Sequence, residues 1–291
     1  MQGVGIKVNK EEILQKLLFD TKLRGLRKNT QDEYYFRIKM FQNHFNKPAT
    51  ELTVEDVQNF LYYLLTEKGL TPSTINTYNS AIRFLYNITL EQPLNIHKIP
   101  RHRKHRKTPE ILTRQEVNTL FNACENLRDR CMMMIMYSSG LRLSEVANLK
   151  VSDIDSEKMQ LRILEGKGGK DRYAILSKTC VELLREYWKQ YRPQEWLFYA
   201  RKRKDTNMSN RGVQNIFNKS KDLAGITKNV TCHSMRHSFA THLLENGVSI
   251  YHIKQLLGHS DISTTCFYLH LVKISQLNVD SPLDTSPAGT N

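Results

Sequence analysis

Apolar residues recur every three to four positions along most of this chain, which predicts helices, and they alternate with polar ones around a single glycine-rich turn, which predicts a hairpin. Ile13, Leu17 and Leu18 stand at helical spacing within 9–28. Thr30-Gln-Asp-Glu33 reads as a capping box that opens a second helix, carried by Tyr34, Ile38, Phe41 and Phe45. Thr53-Val-Glu-Asp56 starts a third, with Val57, Phe60, Leu61 and Leu64 inward and Gly69 at its end. Thr71-Pro72 supplies a cap and a first-turn proline for a fourth, with Ile75, Tyr78, Ile82 and Leu85 as its buried face. Residues 9–90 therefore read as a four-helix domain.

A second domain begins at Thr113-Arg-Gln-Glu116, another capping box. Cys131 to Tyr137 is nearly all apolar and predicts a central buried helix that Gly140 ends. Leu161 and Ile163 alternate with polar residues, as do Tyr173 and Ile175, on either side of Glu165-Gly-Lys-Gly-Gly-Lys-Asp171. Helical spacing then returns over 178–191, 209–224, 232–246, 249–257 and 261–270. The last residues, from Ser281, read as a loose tail.

Charge narrows the partners. Among 291 residues, 43 Lys and Arg against 29 Asp and Glu give a formal net charge of +14, which favours a polyanion because neutralised phosphates release counterions. The run from His97 to Lys107 is too basic to bury itself and predicts an exposed linker, a solvated loop or a strap along a DNA backbone. The five cysteines are scattered with no Cys-x-x-Cys, so neither a disulfide framework nor a zinc site is expected. No apolar run reaches the length of a membrane span and no signal peptide opens the chain, so a cytoplasmic protein is expected.

Individual motifs each carry a plain structural alternative. Gly140-Leu-Arg142-Leu-Ser-Glu145 offers an arginine that a local pair with Glu145 would explain. The glycines around Lys167 lack the Gly-Lys-Ser/Thr ending of a phosphate-binding loop and suit a hairpin tip. His233 and Arg236 share a helix face. His237 lies four residues from His233, but no glutamate base or third ligand accompanies them, so no metal is expected and His237 reads as structural. Val248 to Thr265 is compatible with a helix-turn-helix around Leu257-Gly-His-Ser260, and Ser260 or Asp261 can cap the last predicted helix. Tyr268 falls about two turns into that helix.

Taken in order, Gly-x-Arg-x-x-Glu, a hairpin lysine, His-x-x-Arg, Leu-Gly-His-Ser and a tyrosine nine residues beyond that histidine resemble the tyrosine recombinase/integrase family. The likeness runs over 113–270, is looser over 9–90, and is nearest to compact Xer-like or transposon-associated members. It implies a mainly α, two-domain protein. A helical, SAM-like core DNA-binding domain spans 9–90 and a basic linker 91–112. A mixed α+β catalytic domain, mostly helical with a small antiparallel sheet, spans 113–275, with a tail over 276–291. No room stands before residue 9 for an arm-binding domain, which favours a simple recombinase acting on a short site. A mobile element is slightly favoured over chromosome maintenance.

By that resemblance Arg142 is the first clamp on the scissile phosphate, Lys167 the hairpin lysine, His233 and Arg236 the next pair, His259 the following histidine, and Tyr268 the nucleophile. Two guanidinium forks match the phosphate oxygens. His233 would accept the phenol proton, Lys167 would protonate the leaving 5′ oxygen, and Glu145 would orient its neighbours. Bond energy kept in a 3′-phosphotyrosine link removes any need for ATP, a metal or another cofactor. The expected partners are double-stranded DNA and identical subunits, as a tetramer on two DNA sites. DNA contacts are assigned to Arg83, Arg101, Arg103, Lys104, Arg106, Lys107 and Arg211. A nicking-closing enzyme of the topoisomerase IB kind and a non-catalytic helix-turn-helix regulator are the alternatives.

Overall fold

Short polar side chains at helix starts set most of the architecture. In a computed structural model, residues 9–95, 98–99, 101–102, 108–164, 171–200 and 203–272 are described. The chain divides into two compact units, residues 1–106 and 107–291.

Unit 1 holds α1 (Lys10–Leu23), α2 (Lys28–His44), α3 (Val54–Thr66) and α4 (Pro72–Phe84), the last running into a π-helical turn over Leu85–Thr89. Asn9 caps α1 reciprocally with Glu12, Thr53 caps α3 reciprocally with Asp56, and Thr71 caps α4 with Pro72 behind it. Each such cap stabilises its helix by about 1 kcal/mol. The anticipated box at Thr30 is not a helix start: α2 begins at Lys28, and Glu33 instead accepts from Arg37 Nη2 at 2.6 Å. The core gathers Ile13, Leu17, Ile38, Phe41, Val57, Phe60, Ile75 and Ile82, with Leu14 rather than Leu18 completing the α1 face. Ile99 belongs to the same core, so the basic run does anchor one residue in unit 1.

Unit 2 is built on α6 (Leu127–Ser138), whose Met132, Met133, Ile135 and Met136 are wholly buried. Around it stand α5 (Arg114–Asn122), α7 (Leu143–Ala147), α8 (Lys178–Tyr191), α9 (Asn210–Leu223), α10 (Cys232–Glu245) and α11 (Ile250–Leu257). A sheet of β1 (Ile154–Asp155), β2 (Gln160–Ile163) and β3 (Arg172–Ile175) lies antiparallel in that order, with Leu161 opposite Ala174 and Ile163 opposite Arg172. Leu161, Ile163 and Ala174 are buried, while Tyr173 and Ile175 face solvent. The apolar alternation of β3 therefore has the opposite phase to its burial. A further ribbon, β4 (Tyr199–Ala200) with β5 (Arg203–Asn207), is too polar to have been legible as strands.

The chain after α11 departs from the expected helix over 261–270. It makes a single turn, α12 (Ser263–Cys266), then a 3-10 turn over Phe267–Leu271 that carries Tyr268. The N-cap of α12 is Ile262, which makes no side-chain cap, and Asp261 before it accepts from Ser263 N at 2.9 Å. One turn is too short to serve as a recognition helix, so the helix-turn-helix reading of Val248 to Thr265 fails. Tyr268 packs with Phe239, Leu244, Ile253 and Leu257 in a separate apolar cluster. Among the described residues no helix is long and apolar enough to cross a membrane.

Candidate active site

Four segments of unit 2 converge on one buried guanidinium. Arg236 lies in the second turn of α10, a helix so enclosed that Ser234, Met235, Ser238, Phe239 and Ala240 are buried too. Its side chain is 1% exposed and cannot reach bulk water. Nη1 donates to the Gly140 carbonyl at 2.7 Å, and Nη2 donates to the Leu257 carbonyl at 2.6 Å and to His259 Nε2 at 3.1 Å. Leu257 is the last residue of α11, so there the cation meets a helix's negative pole, and Gly140 offers the carbonyl of the turn that follows α6. Burial, then the charge of Arg142, lowers its pKa to about 10, and the group stays protonated at neutral pH.

Gly140 makes this approach possible. Its φ is +59°, and a Cβ there would lie 2.4 Å from Phe239 Cδ1. The turn it forms delivers Arg142 to the start of α7. Arg142 donates through its backbone N to Glu145 Oε2 at 2.8 Å and through Nη1 to Oε1 at 2.7 Å. The local pair anticipated from the sequence is real.

Glu145 is also gripped from the other side. Arg172 of β3 places Nη1 and Nη2 each 2.7 Å from the two carboxylate oxygens, and its Nε donates to the Leu256 carbonyl at 3.1 Å. Its stem passes so close to Gly258 that a Cβ there would lie 2.5 Å from Arg172 Cδ. Burial would raise the Glu145 pKa, but the hydrogen bonds and charge of Arg172, then those of Arg142, outweigh it and hold the carboxyl down at about 2. Arg172 is absent from the residues singled out by sequence. Its neighbours Tyr173 and Ile175 suggested the wrong inward face, and only a charged residue beside a glycine-rich tip marked it.

The imidazoles are neutral. Arginine only donates, so His259 Nε2 accepts from Arg236 and its proton sits on Nδ1, 2.9 Å from the buried Thr265 hydroxyl. Burial, then Arg236, Arg142 and Arg172, push its pKa down to about 3. His237 falls to about 4, by burial and then by His233 and Arg236. Tyr268 is 2% exposed, and its hydroxyl stands 3.2 Å from His237 Nδ1. Burial raises the phenol pKa, partly offset by Arg236 and Arg142. Its ring lies parallel to that of His259, at 11° and 6.4 Å between centroids.

Arg142, Arg236, His259 and Tyr268 thus lie in one cluster. His233 is exposed on α10, and its ring is 4.4 Å from that of His237. The imidazole that meets the phenol hydroxyl is that of His237, which its sequence context presented as structural. Lys167 lies outside the described residues, as do Arg103, Lys104, Arg106 and Lys107. Arg211 is exposed near the start of α9. In unit 1, Arg83 is half-buried and donates to Asn79 Oδ1 and to the Ile99 carbonyl, each at 2.6 Å. Arg101 is exposed and lines a cavity of about 460 Å³ with Tyr34, Ser73, Asn76 and His102.

A helical unit followed by a helical unit with a small antiparallel sheet, carrying Arg, His, Arg, His and Tyr in that order, is the tyrosine recombinase arrangement. The phage integrase family model matches residues 110–273, and the model of the phage integrase N-terminal SAM-like domain matches 13–96. The y4qK protein of Sinorhizobium fredii is 37% identical over 276 residues, covering 94% of this chain and 89% of that protein. The tyrosine recombinase XerA of Pyrococcus horikoshii is 33% identical over 264 residues, covering 88% of each. A lambda integrase tetramer bound to a Holliday junction has a similar fold, with a TM-score of 0.74 at 18% identity, over 91% of this chain and 78% of that one. The chain belongs to the phage integrase family.

Proposed function

We propose that this protein is a site-specific DNA recombinase that cuts and rejoins strands through a 3′-phosphotyrosine link on Tyr268. One observation carries the reading. Three guanidinium groups, one carboxylate and two neutral imidazoles surround a buried phenol, leaving two positive charges that no carboxylate in the cluster offsets. A buried excess of cation beside a nucleophile suits a phosphodiester. Charge builds on the non-bridging oxygens as Tyr268 attacks, and Arg142 and Arg236 offer donors already fixed in place. Glu145 and Arg172 hold Arg142 so that little reorganisation remains when DNA binds. A phosphate oxygen entering between Arg236 and His259 takes over the guanidinium donor that His259 now accepts. Lys167 is the proposed acid for the leaving 5′ oxygen.

Double-stranded DNA is the partner, and Arg101, Arg103, Lys104, Arg106, Lys107 and Arg211 supply backbone contacts that position rather than specify. Arg83 supports them by holding the chain at Ile99. The working assembly is a tetramer on two sites, the form in the lambda integrase structure, and the setting is the cytoplasm. A nicked suicide duplex tests the reading. Wild-type protein is expected to form a covalent adduct and to exchange strands between duplexes. Tyr268→Phe is expected to bind DNA equally well and form none. Cleavage by Tyr268→Phe, or relaxation of supercoils without exchange, would overturn it.

A further inference from the structure

We propose that His237 is the base that takes the phenol proton of Tyr268, with His233 as its outlet to solvent. The inference rests on Tyr268 being the nucleophile. His237 Nδ1 is 3.2 Å from the Tyr268 hydroxyl, hydrogen-bond distance from the reacting atom. The tyrosine is almost fully enclosed, so its proton cannot leave directly to water. His259, the other nearby imidazole, is committed at both nitrogens, to Arg236 and to Thr265. His233 was the expected acceptor, yet it is exposed one turn away, in edge-to-face ring contact with His237.

The step balances without a co-reactant. As the Tyr268 oxygen bonds to phosphorus, its O–H bond breaks and the proton passes to His237 Nδ1, whose own proton sits on Nε2. The P–O5′ bond breaks, and a separate acid protonates the leaving oxygen. In rejoining, a 5′ hydroxyl attacks, the P–O bond to tyrosine breaks, and His237 returns the proton to the phenolate. The titratable groups around His237 are His233 and Arg236 on its own helix and Tyr268 on the 3-10 turn. Burial, then His233 and Arg236, make His237 a weak base in the free protein. The negative charge of a bound phosphodiester offsets that cation, so basicity rises when substrate is in place. This coupling suppresses phenol ionisation in the absence of DNA.

The test is single-turnover cleavage by the full-length protein on a suicide duplex with either oxygen or sulfur at the bridging 5′ position. A 5′ thiolate leaves without an acid, so the sulfur substrate isolates the base. His237→Gln is expected to slow both substrates by about 10²–10⁴-fold with DNA affinity kept, and to lose the acidic limb of the pH–rate profile. Added imidazole should restore part of the rate to His237→Ala. His233→Gln should cost less than about tenfold. Near wild-type cleavage by His237→Gln would overturn the inference. So would full rescue of that variant by the sulfur substrate, or loss of DNA affinity in step with rate. Failure of the wild-type protein to form any adduct would defeat the reading of Tyr268 itself, a distinct outcome.

Discussion

Unit 1 fills its interior with rings, among them Phe41, Phe60, Tyr78 and Tyr86, whereas unit 2 places a guanidinium and a carboxylate, Arg236 and Glu145, in its own. The ion pairs described in unit 1 are partly exposed, as with Lys28 and Asp32 on one helix at 2.7 Å and Lys47 with Asp56 at 2.8 Å, and such pairs are worth under about 1 kcal/mol. The buried pairs around Glu145 in unit 2 join three segments distant in sequence, carrying Arg142, Arg172 and Arg236, and each buried ion would cost several kcal/mol if left alone. A unit that needed only to fold would gain by replacing them with apolar side chains. In the proposed recombinase they supply the fixed, dry donors that a phosphoryl transition state requires.

Arg236→Lys should separate the units most sharply. An ammonium cannot reach Gly140, Leu257 and His259 in one fork. Cleavage should fall by about 10³-fold or more and stability by about 3 kcal/mol, read by single-turnover kinetics and denaturant melts. Lys28→Ala in unit 1 should change neither. Next come two glycines with the same backbone angle. Gly140 and Gly69 both have φ +59°, but a Cβ on Gly140 meets Phe239, while nothing lies within 4 Å at Gly69. Gly140→Ala should cost about 2–4 kcal/mol and impair cleavage, and Gly69→Ala about 1 kcal/mol with cleavage intact. Equal losses would show that packing at Gly140 matters less than its backbone.

Acid should then weaken unit 2. His237 and His259 have folded pKa values of about 4 and about 3, below the ordinary histidine value near 6.5. Unfolded chains bind protons that the folded site refuses. Stability is therefore whole above pH 6.5 and falls toward pH 4, by up to about 1.4 kcal/mol per histidine per pH unit. A melting temperature flat across that range would contradict the neutral imidazoles. The smallest effect belongs to the exposed cations. Arg101→Ala and Arg211→Ala should each lower the salt dependence of DNA binding by about one counterion and leave cleavage of bound DNA unchanged.

Much of this was legible in the sequence, because caps and glycine stops are local. Thr53, Thr71, Thr113 and Gly140 act where their neighbours said they would. The order of Arg142, His233, Arg236, His259 and Tyr268 also announced the family. What escaped depends on contacts between segments. Arg172 turns inward because Glu145 and the space over Gly258 receive it, against the apolar alternation of its own strand. His237 reaches the phenol because the last turn is a tight 3-10 turn, where periodicity had suggested a regular helix. The start of α2 went astray because a capping-box pattern at Thr30 lay inside a helix already begun.

Digestion of the covalent adduct, with mass spectrometry of the nucleotide-bearing peptide, tests the central claim most directly. The expected result is a single modified residue, Tyr268, carrying the 3′ phosphate of the cut strand. A nucleotide on any other side chain, or on none after the strand has been cut, would contradict it.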